Sequence, residues 1–282
     1  MKFKSVVYIL LVFPILTFGQ KNIKKFNDET LELGTELYRS ELASWQSTDI
    51  LLPKLKEMGN SFGGYLSYAV GDVTRSIFYD NSSDNKIHYQ VDFKNIDKLQ
   101  NVYTIDSTER IPTKVEKRLM HGRREAAMAV NVNKDSLFSF YENTNYNYIP
   151  LIDNKNNLVV YSVTGPSGGE AVIIGNDYKF DFDKKDKLAE VSKIHNGILA
   201  HPYKVEDGKV QSVFHNHVIE EYPIITATDL CTLMLYSSYI DWEQYYVISD
   251  KFVSIFDFEN FNLISLTREA WDKISKQSEN KK

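Results

Sequence analysis

His215 and His217 are separated by one residue, and Asp229 follows twelve residues after the second. In an extended strand alternate side chains share a face, so imidazoles at this spacing project together from one element. Two imidazoles and a carboxylate are nitrogen and oxygen donors suited to a transition metal. Three such ligands leave a fourth position to water, which is the open arrangement of catalytic zinc. The same residues also have a structural use. Thr226 and Asp229 stand at the T-x-x-[DE] spacing of a capping box. Leu230, Leu233 and Met234 then supply an ordinary buried helix stripe. A strand and a cap, or a metal site, both fit this stretch.

The elements that must position these residues are legible from periodicity and turn residues. "KVQSVFHNHV" reads as a strand, "TATDLCTLMLYSSY" as an amphipathic helix, and "QYYVISD", "FVSIFDF" and "NLISLT" as strands. "REAWDKIS" closes the chain as a helix before a charged tail. Further upstream, apolar residues from Leu31 to Leu55 predict a helix over about Asn27–Met58, capped by Asn27 or Asp28 and with a break near Ser47-Thr48. "GGYLSYAV", "RSIFYD" and "KIHYQVDF" read as strands; Ile87, Tyr89, Val91 and Phe93 share one face of the third, with His88 turned to solvent. A second helix spans about Thr113–Val130. "SLFSFY", "NLVVYSV", "AVIIG" and "YKFDFD" read as strands, and the charged segment Lys184–His195 as a short helix. The pattern is α+β, with a mixed sheet flanked by helices and a seam near Asp135–Pro150.

Composition narrows the function. The chain has 282 residues, of which 43% are hydrophobic and 25% charged, with a formal net charge of -5. No basic stripe marks a nucleic-acid binder; the run Lys117–Arg124 reads as one helix face. "MKFK" followed by the uncharged "SVVYILLVFPILTFG" reads as a signal peptide over residues 1–19, with an N-terminal anchor as its alternative. The apolar run is shorter than the about 20 residues a spanning helix needs, so no stable transmembrane span is expected after cleavage. The single cysteine, Cys231, lies among apolar residues and excludes an internal disulfide, which suits a periplasmic or secreted bacterial protein. No nucleotide fingerprint or covalent-hydrolase motif is present.

The order of strand, His215-Asn216-His217, loop, Thr226-Ala227-Thr228-Asp229 and helix resembles the JAB/JAMM metalloprotease family. The hallmark of that family is H-x-H, a loop and S-x-x-D, with a glutamate upstream. The resemblance covers about Leu158–Leu266 and includes the strand pair after the helix. It implies that His215, His217 and Asp229 are zinc ligands. It puts Thr226 where a serine helps hold the oxyanion, and Glu170, ahead of Ala171–Gly175, where a general base takes a proton from zinc-bound water. Glu170 has a plainer reading as the end of the "GPSGG" hairpin turn, and Glu220 and Glu221 sit in a loop, a poor place to fix a base. Three departures stand out: a loop one residue longer than usual, Val218 in place of a proline, and Thr226 in place of serine.

On this reading residues 20–135 form an N-terminal helix and β-hairpin region, 150–275 a JAMM-like α/β domain and 276–282 a charged tail. Two functions fit. One is an exported zinc-dependent hydrolase acting on a peptide or isopeptide bond. The other is an envelope or secreted protein that kept the fold and binds a peptide or protein partner. His195 and His201 flank "NGILA" and are expected to line the cleft or to be solvated or core residues.

Overall fold

The computed structural model describes residues 13–97, 102–132, 136–168, 171–203 and 212–279 of the chain. Helix α1 (Phe13–Met58) opens it. Strands β1 (Phe62–Val70), β2 (Val73–Asp80), β3 (Ile87–Lys94) and β4 (Val102–Asp106) form an antiparallel sheet in chain order. Helix α2 (Lys114–Val132) follows. A second antiparallel sheet takes the order β5 (Thr144–Ile152), β6 (Leu158–Pro166), β8 (Tyr178–Phe182) and β9 (Leu188–Lys193). Strands β7 (Ala171–Gly175) and β10 (Ile198–Pro202) pair antiparallel with each other. The last sheet joins β11 (Ser212–Asn216), β12 (Gln244–Ile248), β13 (Phe252–Asp257) and β14 (Asn262–Thr267), with α3 (Ala227–Tyr236) between its first two strands and α4 (Arg268–Glu279) at the end. β11 runs parallel to β12, while β12–β13 and β13–β14 are antiparallel. The class is α+β, with a mixed sheet flanked by helices.

The parallel pair explains the chain path. Parallel neighbours need a crossover, and α3 supplies it. Leu230, Leu233 and Met234 of α3 pack with Tyr245, Val247 and Phe256 on the inner face of the sheet. Leu37 of α1 joins the same cluster, so the first helix lies against the helix that starts the site. Gly34 makes this approach possible. A Cβ there would stand 2.7 Å from Leu230 Cβ and 3.2 Å from the Ala227 carbonyl oxygen. A second core joins β1–β3, α2, β6 and β8 through Leu66, Ile77, Leu119, Val160 and Phe180.

Several expectations change. Helix α1 has no start at Asn27, because Asn27 is buried within it and Lys24–Asp28 and Lys25–Glu29 pair across its turns. Nor does it break at Ser47-Thr48. Their hydroxyls donate to the carbonyls of Ala43 and Ser44 at 2.6 and 2.7 Å, which keeps both residues inside the helix. Segment Lys184–His195 is no helix. Asp183 Oδ1 accepts from the backbone N–H of Lys185 and Lys187, turning the chain into β9 beside β8. "SLFSFY" forms no strand in its described residues; Ser139 is held instead by Tyr178 and Asn176. His88 is half-buried and faces Asp80 Oδ2 at 3.1 Å.

Residues 1–12 of the expected signal peptide and Glu170 lie outside the described residues; Phe13–Gly19 continue into α1. Among the described residues no helix is long and apolar enough to cross a membrane.

Candidate metal centre

His215 sits near the end of β11, and His217 follows just beyond it. The His217 N–H still donates to the Ile248 carbonyl at 2.8 Å, which prolongs the extended geometry and keeps both imidazoles on one side. Asp229 arrives from the first turn of α3. Its N–H donates to Thr226 Oγ1 at 3.1 Å, and Asp229 Oδ2 accepts from the Thr226 N–H at 2.9 Å, so the capping box is complete. Ligands and cap therefore meet where the carboxyl end of a parallel strand faces a helix N-terminus, a recurrent place for ligands in open α/β sheets.

The fourth member is His195, in the turn between β9 and β10. One ligand atom from each of His195, His215, His217 and Asp229 falls within a set whose members all lie within 4.8 Å of one another. His195 Nε2 is 3.2 Å from both His217 Nε2 and Asp229 Oδ1. His217 Nε2 is 3.3 Å from Asp229 Oδ2, and His215 Nε2 is 3.8 Å from Asp229 Oδ1. Tetrahedral ligands at metal distances of about 2.0–2.2 Å stand roughly 3.3–3.5 Å apart. With Asp229 Oδ1 as the single carboxylate ligand, the His195–His217 and His195–Asp229 edges match closely and the His215–Asp229 edge is longer, while His217 approaches the other carboxylate oxygen. All four residues are buried, Asp229 to 1% exposure.

Three side-chain atoms of these residues, His195 Nδ1, His215 Nε2 and Asp229 Oδ1, are buried without a hydrogen-bond partner, and the last two face each other across the centre at 3.8 Å. Such atoms are costly in a protein interior and point to a missing partner. Each ring turns its other nitrogen outward. His217 Nδ1 meets the Tyr222 carbonyl at 2.8 Å, His215 Nδ1 meets Tyr245 Oη at 3.1 Å, and His195 Nδ1 lies 3.3 Å from Asp177 Oδ2. Outer partners of this kind orient imidazoles that bind a metal.

The electrostatics agree. Burial opposes a charge on His195, but Asp229 and Asp177 beside it outweigh burial and push its pKa up to about 10. Burial drives His215 down to about 3. Burial also opposes the charge on Asp229, yet His195 and His215 hold its carboxyl well below the usual range. Without a metal, a proton on His195 supplies positive charge at the centre.

His215, His217, Asp229 and Thr226 thus come together as the spacing predicts. The capping box is formed, and because the carboxylate has two oxygens Asp229 also belongs to the group that could hold a metal ion. His195 was expected only as a cleft-lining, solvated or core residue. It lies in no motif, and its distance of twenty residues from His215 carries no ligand signature. His201 stands outside the cluster, half-buried, with Nε2 3.3 Å from Tyr245 Oη. Cys231 is fully buried in the α3 core. A cleft of about 310 Å³ between the β9–β10 turn and the segment after β11 reaches the three imidazoles.

Comparison with known proteins finds no matching family model, no matching curated protein and no matching solved structure.

Proposed function

We propose that this chain is an exported metal-binding protein of JAMM-like construction, in which His195, His215, His217 and Asp229 hold one zinc ion and no hydrolysis takes place. His195 carries the reading. The JAMM-like arrangement leaves the fourth position to water, whereas here an imidazole nitrogen stands 3.2 Å from two of the other ligands. Four protein ligands are the closed form typical of structural zinc. Three imidazoles and one carboxylate suit a borderline ion such as zinc and lack the oxygen-rich shell of calcium or magnesium. The ion would tie together the β9–β10 turn, β11 and α3, and its binding energy would become folding energy. The uncharged run after "MKFK" supports export to the periplasm or beyond, where a peptide or protein partner would be met.

The hydrolase reading has one observation in its favour. The cleft beside the imidazoles gives solvent a path to a fifth coordination position. Cobalt substitution separates the two. A four-coordinate spectrum that azide leaves unchanged is expected, together with one zinc per chain. A five-coordinate spectrum, with peptide hydrolysis that Glu170→Gln abolishes, would establish the enzyme instead. A chain that stays metal-free after incubation with zinc would defeat both.

A further inference from the structure

Three ligands are placed by regular structure, His215 and His217 by a strand and Asp229 by a capped helix. His195 has neither behind it. It sits in a turn between two short strands, and something else must aim its ring. Resting on the four-ligand reading, we propose that Asp177 is the positioning residue that makes His195 a ligand. It does so by fixing the ring and by supplying the second negative charge of a neutral centre.

Asp177 belongs to the turn between β7 and β8 and is 1% exposed. Its Oδ1 accepts from the Thr164 N–H at 2.9 Å, which orients the carboxylate. That leaves Oδ2 facing His195 Nδ1 at 3.3 Å, a charged contact short of an aligned hydrogen bond. With Nδ1 turned to an acceptor, Nε2 is the nitrogen free to point at the centre. Backbone contacts tie the two turns together independently of the ring. The Ile194 N–H donates to the Asp177 carbonyl at 2.8 Å, and Ile198 pairs with Gly175 across β7 and β10. Gly175 has φ +98°, and a Cβ there would lie 2.4 Å from the Gly197 carbonyl oxygen. The turn carrying Asp177 and the turn carrying His195 are therefore pressed into one unit.

Charge supplies the second half of the argument. A divalent ion with three neutral imidazoles and Asp229 keeps one net positive charge in a buried site. Isolated buried charge is expensive, and a second carboxylate behind a ligand removes it. Asp177 is the other carboxylate facing His195 among the described residues.

The test is zinc affinity by chelator competition in wild type, Asp177→Asn and Asp177→Ala, together with melting with and without zinc. Loss of an outer-shell partner typically weakens metal binding by about 10–100-fold. The zinc-induced rise in Tm should shrink in both variants, by more than the fall in metal-free Tm that follows from removing the carboxylate beside protonated His195. A residue with only a structural role would lower both Tm values together and leave affinity alone; that result overturns the proposal. In a His195→Ala background Asp177→Asn should no longer affect affinity, and an undiminished effect there would also overturn it. If the Asp177 variants do not fold, long-range ¹H–¹⁵N correlations in zinc-loaded wild type decide the matter. The proton should sit on His195 Nδ1, and an Nε2–H tautomer refutes the assignment. Wild type that binds no zinc rejects the four-ligand reading itself, a separate outcome.

Discussion

Thr226 and Asp229 enclose each other. The Thr226 hydroxyl accepts from the Asp229 N–H at 3.1 Å and lies 2.8 Å from Asp229 Oδ2, which also takes the Thr226 N–H. The carboxylate is thus held rigidly while its oxygens still face His195 and His217. Thr226→Ser should keep both stability and zinc affinity near wild type. Thr226→Val, which keeps the shape and removes the hydroxyl, should cost about 1–2 kcal/mol as a lost cap. It should also weaken zinc. Urea unfolding with and without zinc checks both effects, and a variant that loses stability but no affinity would separate the cap from the site.

Zinc should stabilise the folded chain by mass action. At free zinc 100-fold above the Kd the gain is about 2.7 kcal/mol. His217→Ala removes a ligand and should abolish most of that gain. Calorimetric scans before and after chelation measure it; equal shifts in wild type and His217→Ala would place the ion elsewhere.

In the metal-free protein the contribution of His195 and His215 to stability should be greatest near pH 6.5. His195 has its pKa raised from 6.5 to about 10, so the folded state keeps a proton that the unfolded chain releases. That stability is fully present below about pH 6.5 and is lost as pH rises toward 10. His215 is lowered to about 3, so the folded state refuses a proton that the unfolded chain accepts, and stability falls as pH drops from 6.5 toward 3. If His195 is a zinc ligand, as proposed, zinc would have to displace its proton, and zinc affinity should rise with pH over the alkaline range. A metal-free Tm that stays flat from pH 6.5 to 10 would contradict the charge assignment of His195.

Glu41 lies on α1 at 4% exposure. Burial raises its pKa to about 7, against the opposing pull of Arg123 and a hydrogen bond from Trp45. The folded state therefore binds this proton more tightly than the unfolded chain. The contribution is present below about pH 4.5 and lost as pH rises through 7. Glu41→Gln should stabilise the protein by on the order of 1–3 kcal/mol at pH 8 and change little at pH 4. Denaturant midpoints at the two pH values test this.

Gly34→Ala should destabilise despite the better helix propensity of alanine. The new methyl would collide with Leu230 and the Ala227 carbonyl, in the turn that carries Asp229. Overpacking of this kind costs about 1–3 kcal/mol, against a propensity gain of about 1 kcal/mol. A lower zinc affinity in the same variant would confirm that α1 braces the site, and an unchanged one would show that the cap absorbs the shift.

Local chemistry made much of this protein legible in its sequence. The H-x-H spacing in a strand sets two imidazoles on one side, and T-x-x-D starts a helix, because both effects operate within a few residues. The alternation of β3 and the apolar stripe of α3 are equally local. Where expectation and structure part, a distant or competing interaction decides. Asp183 turns Lys184–His195 into a hairpin, and serine and threonine hydroxyls bonded to carbonyls of their own helix carry α1 through Ser47-Thr48. His195 and Asp177 had no legible role at all. They lie in turns without a motif, 18 residues apart, and the pairing of β7 with β10 brings them together. The sequence by itself determined three donors, a cap and the elements that carry them. Only the tertiary structure decided that a third imidazole, His195, joins the cluster, because strand pairing brings it there and no local spacing records it.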